Sequence, residues 1–405
     1  MEHTLRSIIA EHRESWIDFT KALIEIPTEN PPGVAYRTCV DLLADKLAEL
    51  GLAYTLLEAP APSSSHSSSE PGYCLLSSYG EGEKTLYFHG HYDVVPASDS
   101  AQFRPFIEGD KLFGRGSSDM KGGLVAMIAA VQAMKECGIR LRGKIGLTIV
   151  PDEETGGQRG TQYLVDQGLL GVNGIGMLTA EPTDGNVWNA NRGAISLQVR
   201  VKGKPAHVGL HYQGVNAFEQ MLIVANTLAV YKRDITQRQT QFRIEPEAAR
   251  SSILLMGGQC SGGSNFNVVP AECTFTVDRR INPEEDLAEE KQRLLAVFDR
   301  LKEQGIDLDV EVFQEAPSSG VSETHPLAQT LARNIATVTG NTPAFEMCPG
   351  LLEIRWYAQR GIPAFAYGPG LLTFSHGPHE YIPVKNIAES ALIYALTAVQ
   401  LLGEG

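Results

Sequence analysis

The chain has 405 residues, of which 43% are apolar and 20% charged, and its formal net charge at pH 7 is −14. That length and apolar content exclude a disordered polymer and predict two domains with substantial cores. The acidic balance argues against a nucleic-acid or anionic-membrane binder, and no apolar run reaches the roughly 18 residues that span a bilayer.

The N-terminus, Met1-Glu2-His3-Thr4-Leu5-Arg6, lacks the apolar core of a signal peptide. Leu5, Ile8, Ile9, His12, Trp16, Phe19 and Leu23 follow helical spacing and predict one amphipathic first helix capped by Thr4. Pro27 to Gly33 reads as a loop, and a second helix is predicted from Tyr36 to Leu50, stopping at Gly51. Ala59 to Gly72 is low in complexity and reads as a mobile surface loop, too soft for its His66 to serve as a ligand.

Lys84 to Phe88 predicts a strand running into His89-Gly90-His91-Tyr92-Asp93-Val94-Val95-Pro96. Gly114-Arg115-Gly116-Ser117-Ser118-Asp119-Met120-Lys121-Gly122-Gly123 then opens a helical run that continues to Cys137. Lys144 to Val150 reads as a buried strand and ends in Pro151-Asp152-Glu153-Glu154-Thr155-Gly156-Gly157. Acids are excluded from a strand core, so a pair at the exit is either solvated loop or chemistry. Adjacent side chains point in different directions, so one carboxylate can hold a metal while the other faces the reacting water. A further strand leads through Ile175 to Thr179 into Ala180-Glu181-Pro182.

Strands and helices alternating through Glu181 imply an α/β domain with a mostly parallel sheet and helices on both faces. After Arg192 the pattern changes. Strands are predicted at Ala194 to Val201, Ser252 to Gly258, Ala271 to Arg279 and Asp307 to Phe313, with helices at Val215 to Tyr231 and Pro283 to Gln304. The order βαββαβ is that of a ferredoxin-like unit. The expected organisation is a discontinuous domain, 1–191 and 316–405, with a second domain inserted at 192–315. Ile362 to Tyr367 then leads into Ser375-His376-Gly377-Pro378-His379-Glu380-Tyr381. The six cysteines include no Cys-x-x-Cys pair and read as reduced thiols of a cytoplasmic protein.

Each apolar segment of the first domain ends in a histidine or an acid. Ligands bind beyond the carboxyl ends of strands in α/β sheets, so His91, Asp119, Glu154, Glu181 and His376 at one rim predict a metal site. Taken in order, His-x-Asp-x-Val-Pro, Gly-Ser-x-Asp-Met-Lys-Gly-Gly, Asp-Glu-Glu-x-Gly-Gly and His-x-Pro-x-Glu-Tyr resemble the motifs of the zinc-dependent amidohydrolases. That family includes acetylornithine deacetylase, succinyl-diaminopimelate desuccinylase, aminoacylase and glutamate carboxypeptidase. The resemblance extends from about Leu23 to Glu389.

The resemblance implies two zinc ions per subunit, with cobalt or manganese able to substitute. His91, Asp119 and Glu181 match the ligands of one ion; Asp119, Glu154 and His376 match those of the other, with Asp119 bridging. Asp93 matches the acid that orients the His91 ring. Glu153 matches the general base, which serves a metal-bound hydroxide and then protonates the leaving amine. His89 matches no ligand and is expected to pack behind the site, and His211 has no counterpart in the family's motifs. The inserted domain is implied to be a lid and a homodimer interface. His207, in Lys204-Pro205-Ala206-His207, matches a histidine that stabilises the tetrahedral oxyanion, often in the neighbouring subunit's site. Asn267 and Arg280 match substrate contacts, with Arg280 suited to a carboxylate. Arg355 is a second candidate, but Gly350-Leu351-Leu352-Glu353-Ile354-Arg355 stands where many relatives have a Thr- or Ser-Asp pair, implying a more apolar pocket. The expected reaction is hydrolysis of an N-acyl amino acid or related amide to a carboxylate and a free amine. A carboxypeptidase or dipeptidase of the same fold is the alternative. A non-catalytic metal-binding protein is the rival from another class, and the presence of Glu153 beside every ligand argues against it.

Overall fold

The computed structural model describes residues 1–61 and 70–403, so His66 and its serine-rich surroundings lie outside the described residues. The chain divides into two compact units. The first comprises Met1–Asn189, Val321–Phe345 and Trp356–Gly405; the second comprises Ala190–Gly320 and Glu346–Arg355.

The sheet of the first unit is built on β1 (Tyr54–Ala59), β2 (Gly72–Gly80), β3 (Thr85–His91), β4 (Lys144–Val150) and β5 (Gly174–Thr179). Its order is β1-β2-β4-β3-β5, continued by Ala364–Ala366 and Val187–Asn191. β4, β3, β5 and Ala364–Ala366 run parallel, and the strands flanking them on either side are antiparallel. Every residue of β3 is buried, so both of its faces are covered, as central parallel strands require. The helices Gly122–Glu136 and Val384–Leu402 are buried along most of their length and share one core with the sheet.

The single first helix expected from periodicity is two helices, Glu2–Glu11 and Arg13–Ile24. They break at His12, whose backbone (φ −90°, ψ 6°) is not helical and whose Nε2 meets Glu136 Oε2 at 2.9 Å. The break lets both halves pack on Gly122–Glu136. Thr4 lies inside the first helix rather than capping it, because that helix begins at Glu2.

In the second unit, Ile253–Gly262, Glu272–Ile281, Gly193–Lys202 and Leu308–Ala316 form an antiparallel sheet in that order. Helices Ala217–Thr236 and Leu287–Glu303 complete a βαββαβ succession and bury Val224, Leu228, Leu294 and Phe298 in a core of their own. Both helices start later than periodicity suggests because caps set the start. Asn216 accepts from the Phe218 and Glu219 N–H groups, and Asp286 from that of Glu289. The chain leaves the first unit after Asn189 and returns at Val321. The Val321 N–H donates to the Asn189 carbonyl and Asn189 Nδ2 to the Val321 carbonyl, both at 2.8 Å.

Candidate metal centre

Five side chains converge in the first unit. His91 Nε2 lies 3.3 Å from Asp119 Oδ1 and 3.9 Å from Glu181 Oε1. On the other side of Asp119, His376 Nε2 lies 3.2 Å from Asp119 Oδ2 and 3.4 Å from Glu154 Oε2. His91, Asp119 and Glu181 form one group and Asp119, Glu154 and His376 a second, each with donor atoms within 4.8 Å of one another. Asp119 turns a different carboxylate oxygen toward each histidine.

The fold explains this convergence. His91 is the last residue of β3 and pairs with Val150, so the turn carrying Glu154 begins just past it. His89 pairs with Thr179, which puts Glu181, two residues on, level with His91. Asp119 sits in a turn, Ser117–Lys121, where its backbone (φ −126°, ψ 96°) departs from the helix that follows. A Cβ at Gly123 would stand 2.4 Å from the Ala180 carbonyl oxygen. Glycine there lets the helix entry approach the end of β5, and so brings Asp119 to Glu181. His376 lies on the irregular stretch after Ala364–Ala366, at φ 63°, with its ring half-exposed.

Asp93 is buried and carries more than the sequence suggests. His91 Nδ1 lies 3.0 Å from the Asp93 carbonyl and 3.3 Å from its Oδ1. Donation from Nδ1 turns Nε2, the nitrogen a metal would take, toward Asp119 and Glu181. The Asp93 carboxylate also accepts the backbone N–H groups of Glu153 at 3.2 Å and Glu154 at 3.1 Å. Asn30 Nδ2 donates to Asp93 Oδ2 at 2.8 Å and to Thr155 Oγ1 at 2.9 Å. One acid therefore fixes both a histidine ring and the Glu153–Thr155 turn. Glu153 is half-buried in that turn, outside both ligand groups.

A cation fits this arrangement. His91 Nε2, Glu154 Oε1 and Glu181 Oε1 are buried and make no hydrogen bond among the described residues. Buried polar atoms left this way are costly unless something else satisfies them. Burial raises the pKa of Glu154 and of Glu181, and the Asp119 carboxylate adds to both shifts. Burial opposes the charged form of His91, but Asp119, Asp93 and Glu181 outweigh it and hold its pKa well above the usual value. Asp119 and Glu154 push His376 up to about 10. Burial would raise Asp119, yet the two histidines hold it below the usual carboxylate range. These shifts show a cluster that calls for positive charge, which a bound cation would supply. Imidazole and carboxylate donors without thiolate suit zinc, and also accept cobalt or manganese.

His89 stands apart from both groups, with Nδ1 3.1 Å from the Tyr357 hydroxyl and Nε2 3.3 Å from Thr161 Oγ1. His207, Asn267, Arg280 and Arg355 all belong to the second unit. His207 is exposed, its Nδ1 accepts from the Gly209 N–H at 3.1 Å, and its strand-like bridge to Val268 brings it beside Asn267. Arg280 is paired with Asp278 at 2.9 Å, whereas its neighbour Arg279 points into the core and pairs with Glu285 and Glu290. Arg355 is buried and donates to the Leu352 carbonyl at 2.7 Å. Sequence reasoning missed Asn30, Arg115 and the role of Glu380. Glu380 lies inside a motif quoted above and Arg115 directly precedes another, which was the available signal.

Fold and cluster together define an α/β protein with a two-centre carboxylate–histidine cradle for metal. The profile of Peptidase family M20/M25/M40 matches residues 87–400, and the chain belongs to that family, whose members hydrolyse amide bonds. It is 27% identical over 378 residues to succinyl-diaminopimelate desuccinylase of Alkalilimnicola ehrlichii, covering 90% of this chain and 94% of that one. It is 28% identical over 343 residues to succinyl-diaminopimelate desuccinylase of Gluconacetobacter diazotrophicus, covering 81% and 84%. Among solved structures, the di-peptidase Dug1p of Saccharomyces cerevisiae superposes with a TM-score of 0.76 at 16% identity, covering 98% of both chains. A metallo-carboxypeptidase of Sulfolobus solfataricus superposes with a TM-score of 0.77 at 15% identity, covering 95% of this chain and 98% of that one. Likeness at such low identity speaks for the fold alone.

Proposed function

We propose that the protein is a dinuclear zinc deacylase that cleaves an N-acyl amino acid, or a related N-acyl amine, to a carboxylate and a free amine. The observation that carries this reading is the Asp119 carboxylate shared between two ligand groups, with Glu153 beside them. The acyl-amino-acid class rests on the relatives named desuccinylases, which align with 81% and 90% of this chain.

His91, Asp119 and Glu181 would hold one ion, and Asp119, Glu154 and His376 the other. Bound zinc supplies a Lewis acid that polarises the amide carbonyl and acidifies water. Glu153 takes a proton from the attacking water as the C–O bond forms. It then delivers that proton to the amine nitrogen as the C–N bond breaks. Asp93 keeps the His91 ring and the Glu153 turn in place. His207 donates to the tetrahedral oxygen, with Asn267 beside it. Arg280 takes the substrate carboxylate, sharing its guanidinium with Asp278; Arg355 is the second candidate. Free thiols at all six cysteines fit a reducing, cytoplasmic setting.

A dipeptidase or carboxypeptidase of the same fold is the alternative, and similar solved structures carry those names. Amine release from N-succinyl and N-acetyl amino acids, measured beside a dipeptide panel, separates the two. Faster turnover of dipeptides transfers the assignment to the peptidases.

Chelation should abolish hydrolysis, and zinc or cobalt should restore it; full activity in protein shown to be free of metal rejects the mechanism. Near neutral pH the metal-free His376 carries a proton, since its pKa is pushed up to about 10. Metal must displace that proton. Zinc loading should therefore release protons, and affinity should weaken as pH falls. Calorimetry in buffers of different ionisation enthalpy measures the release, and buffer-independent heats would contradict it.

The second unit is proposed as the homodimer interface. Helix Ala217–Thr236 exposes Phe218, Leu222, Ile223 and Val230, and the neighbouring edge strand exposes Ile253 and Leu255. Leu222→Glu combined with Val230→Glu should convert the dimer to monomer by light scattering. If His207 serves the partner's site, that monomer keeps its zinc and loses turnover. Mixing His207→Ala with Glu153→Ala subunits should regain activity. A fully active monomer would return His207 to its own chain.

A further inference from the structure

The two ligand groups are held by unequal means. His91 ends one paired, buried strand and Glu181 follows another, and both are themselves buried. His376 stands on an irregular stretch with a left-handed backbone and a half-exposed ring. That stretch is fastened by a buried ion pair, Arg115–Glu380, which no step above uses. Arg115 Nη1 donates to Glu380 Oε2 at 2.6 Å, and Arg115 Nη2 donates to the His376 carbonyl at 3.2 Å. Glu380 Oε1 accepts the backbone N–H groups of Ser118 at 3.0 Å and Asp119 at 3.1 Å. The side chains of the pair are only 2% and 1% exposed.

One ion pair therefore ties the backbone of Asp119 to the backbone of His376. These two residues, with Glu154, make up the second ligand group. Neither His91 nor Glu181 is bonded to the pair. A guanidinium can serve both acceptors at once because its donors form a rigid planar fork; an ammonium cannot reproduce that fork. Freed from Arg115, the His376 carbonyl loses this tie to the cluster, and the ring that completes the second group is less firmly placed.

We propose that Arg115 and Glu380 are positioning residues that set metal occupancy of the Asp119–Glu154–His376 group, and that the His91–Asp119–Glu181 group fills without them. The inference rests on the dinuclear reading above. Outer contacts of this kind typically change metal affinity by about 10- to 100-fold.

The test uses Arg115→Met combined with Glu380→Gln, which removes both charges and keeps an acceptor for the Ser118 and Asp119 amides. Arg115→Lys is the second variant, should the first fail to fold. Metal-free wild type and variants are titrated with zinc in a calorimeter, with bound zinc counted by elemental analysis and folding followed by circular dichroism. Wild type should bind two ions. The double variant should bind the first with near wild-type affinity and the second about 10- to 100-fold more weakly. Arg115→Lys should fall between them. Two ions bound with wild-type affinity by folded variants would overturn the proposal and leave the dinuclear reading standing. Equal weakening of both ions would also overturn it, because the pair would then act on the whole cluster. Fewer than two ions in wild type would overturn the dinuclear reading and this inference with it.

Discussion

Asp119→Ala is expected to lower kcat/KM by about 1,000-fold or more, because metal contributes several kcal/mol of transition-state stabilisation and this one change weakens both ions. Every other ligand belongs to a single group: His91 and Glu181 to one, Glu154 and His376 to the other. Asp119 alone faces both histidines, at 3.3 and 3.2 Å. Bound zinc and turnover should therefore fall together, and more steeply than in His376→Ala or Glu181→Ala. An Asp119→Ala protein that retains one tightly bound ion would show that the groups are filled independently, and the shared-carboxylate reading would be lost.

Glu153→Ala should behave in the opposite way. Turnover should drop by about 100-fold or more, the usual scale for a lost acid–base group, while zinc content stays at the wild-type level. The contrast follows from the turn. Asp93 holds Glu153 and Glu154 through their backbone N–H groups, so removing the Glu153 side chain leaves the turn's anchorage intact. Glu154 can then keep its place 3.4 Å from His376. Loss of zinc in step with activity would make Glu153 the ligand and reverse the roles of the pair.

The gathering of His91, Glu154 and Glu181 could be read from the chain because each follows an apolar run that has to be a buried strand. The strand order then brings their ends level, through His91 beside Val150 and His89 beside Thr179. Asp119 and His376 are grouped with them as strand exits, but one sits in a non-helical turn and the other in an irregular stretch that no periodicity marks, so the motifs carry those two. The bonds that stiffen the site were not legible. Asn30 meets Asp93 across 63 positions and Arg115 meets Glu380 across 265, and a polar residue in a loop gives no local sign of its distant partner. The alternation along Glu272–Ile281 would have separated Arg279 from Arg280, because successive side chains of a strand face opposite ways. The break at His12 left no mark either, since apolar spacing continues across it in register.

The paired bonds between Asn189 and Val321 bear on how the chain reaches its native state. Ala364–Ala366 must find β5 across the whole insert, a closure whose entropic cost grows slowly with loop length but delays non-local pairing. An insert that folds alone, and whose ends emerge beside each other, shortens that search to a local one. It would then act as a staple made of protein, bringing the two halves of the discontinuous unit together before their sheet is complete. Pulsed hydrogen exchange during refolding should find amides of Gly193–Lys202 and Glu272–Ile281 protected earlier than those of Ala364–Ala366. Simultaneous protection of the two sets would mean that the insert gains its order only together with the domain that carries it.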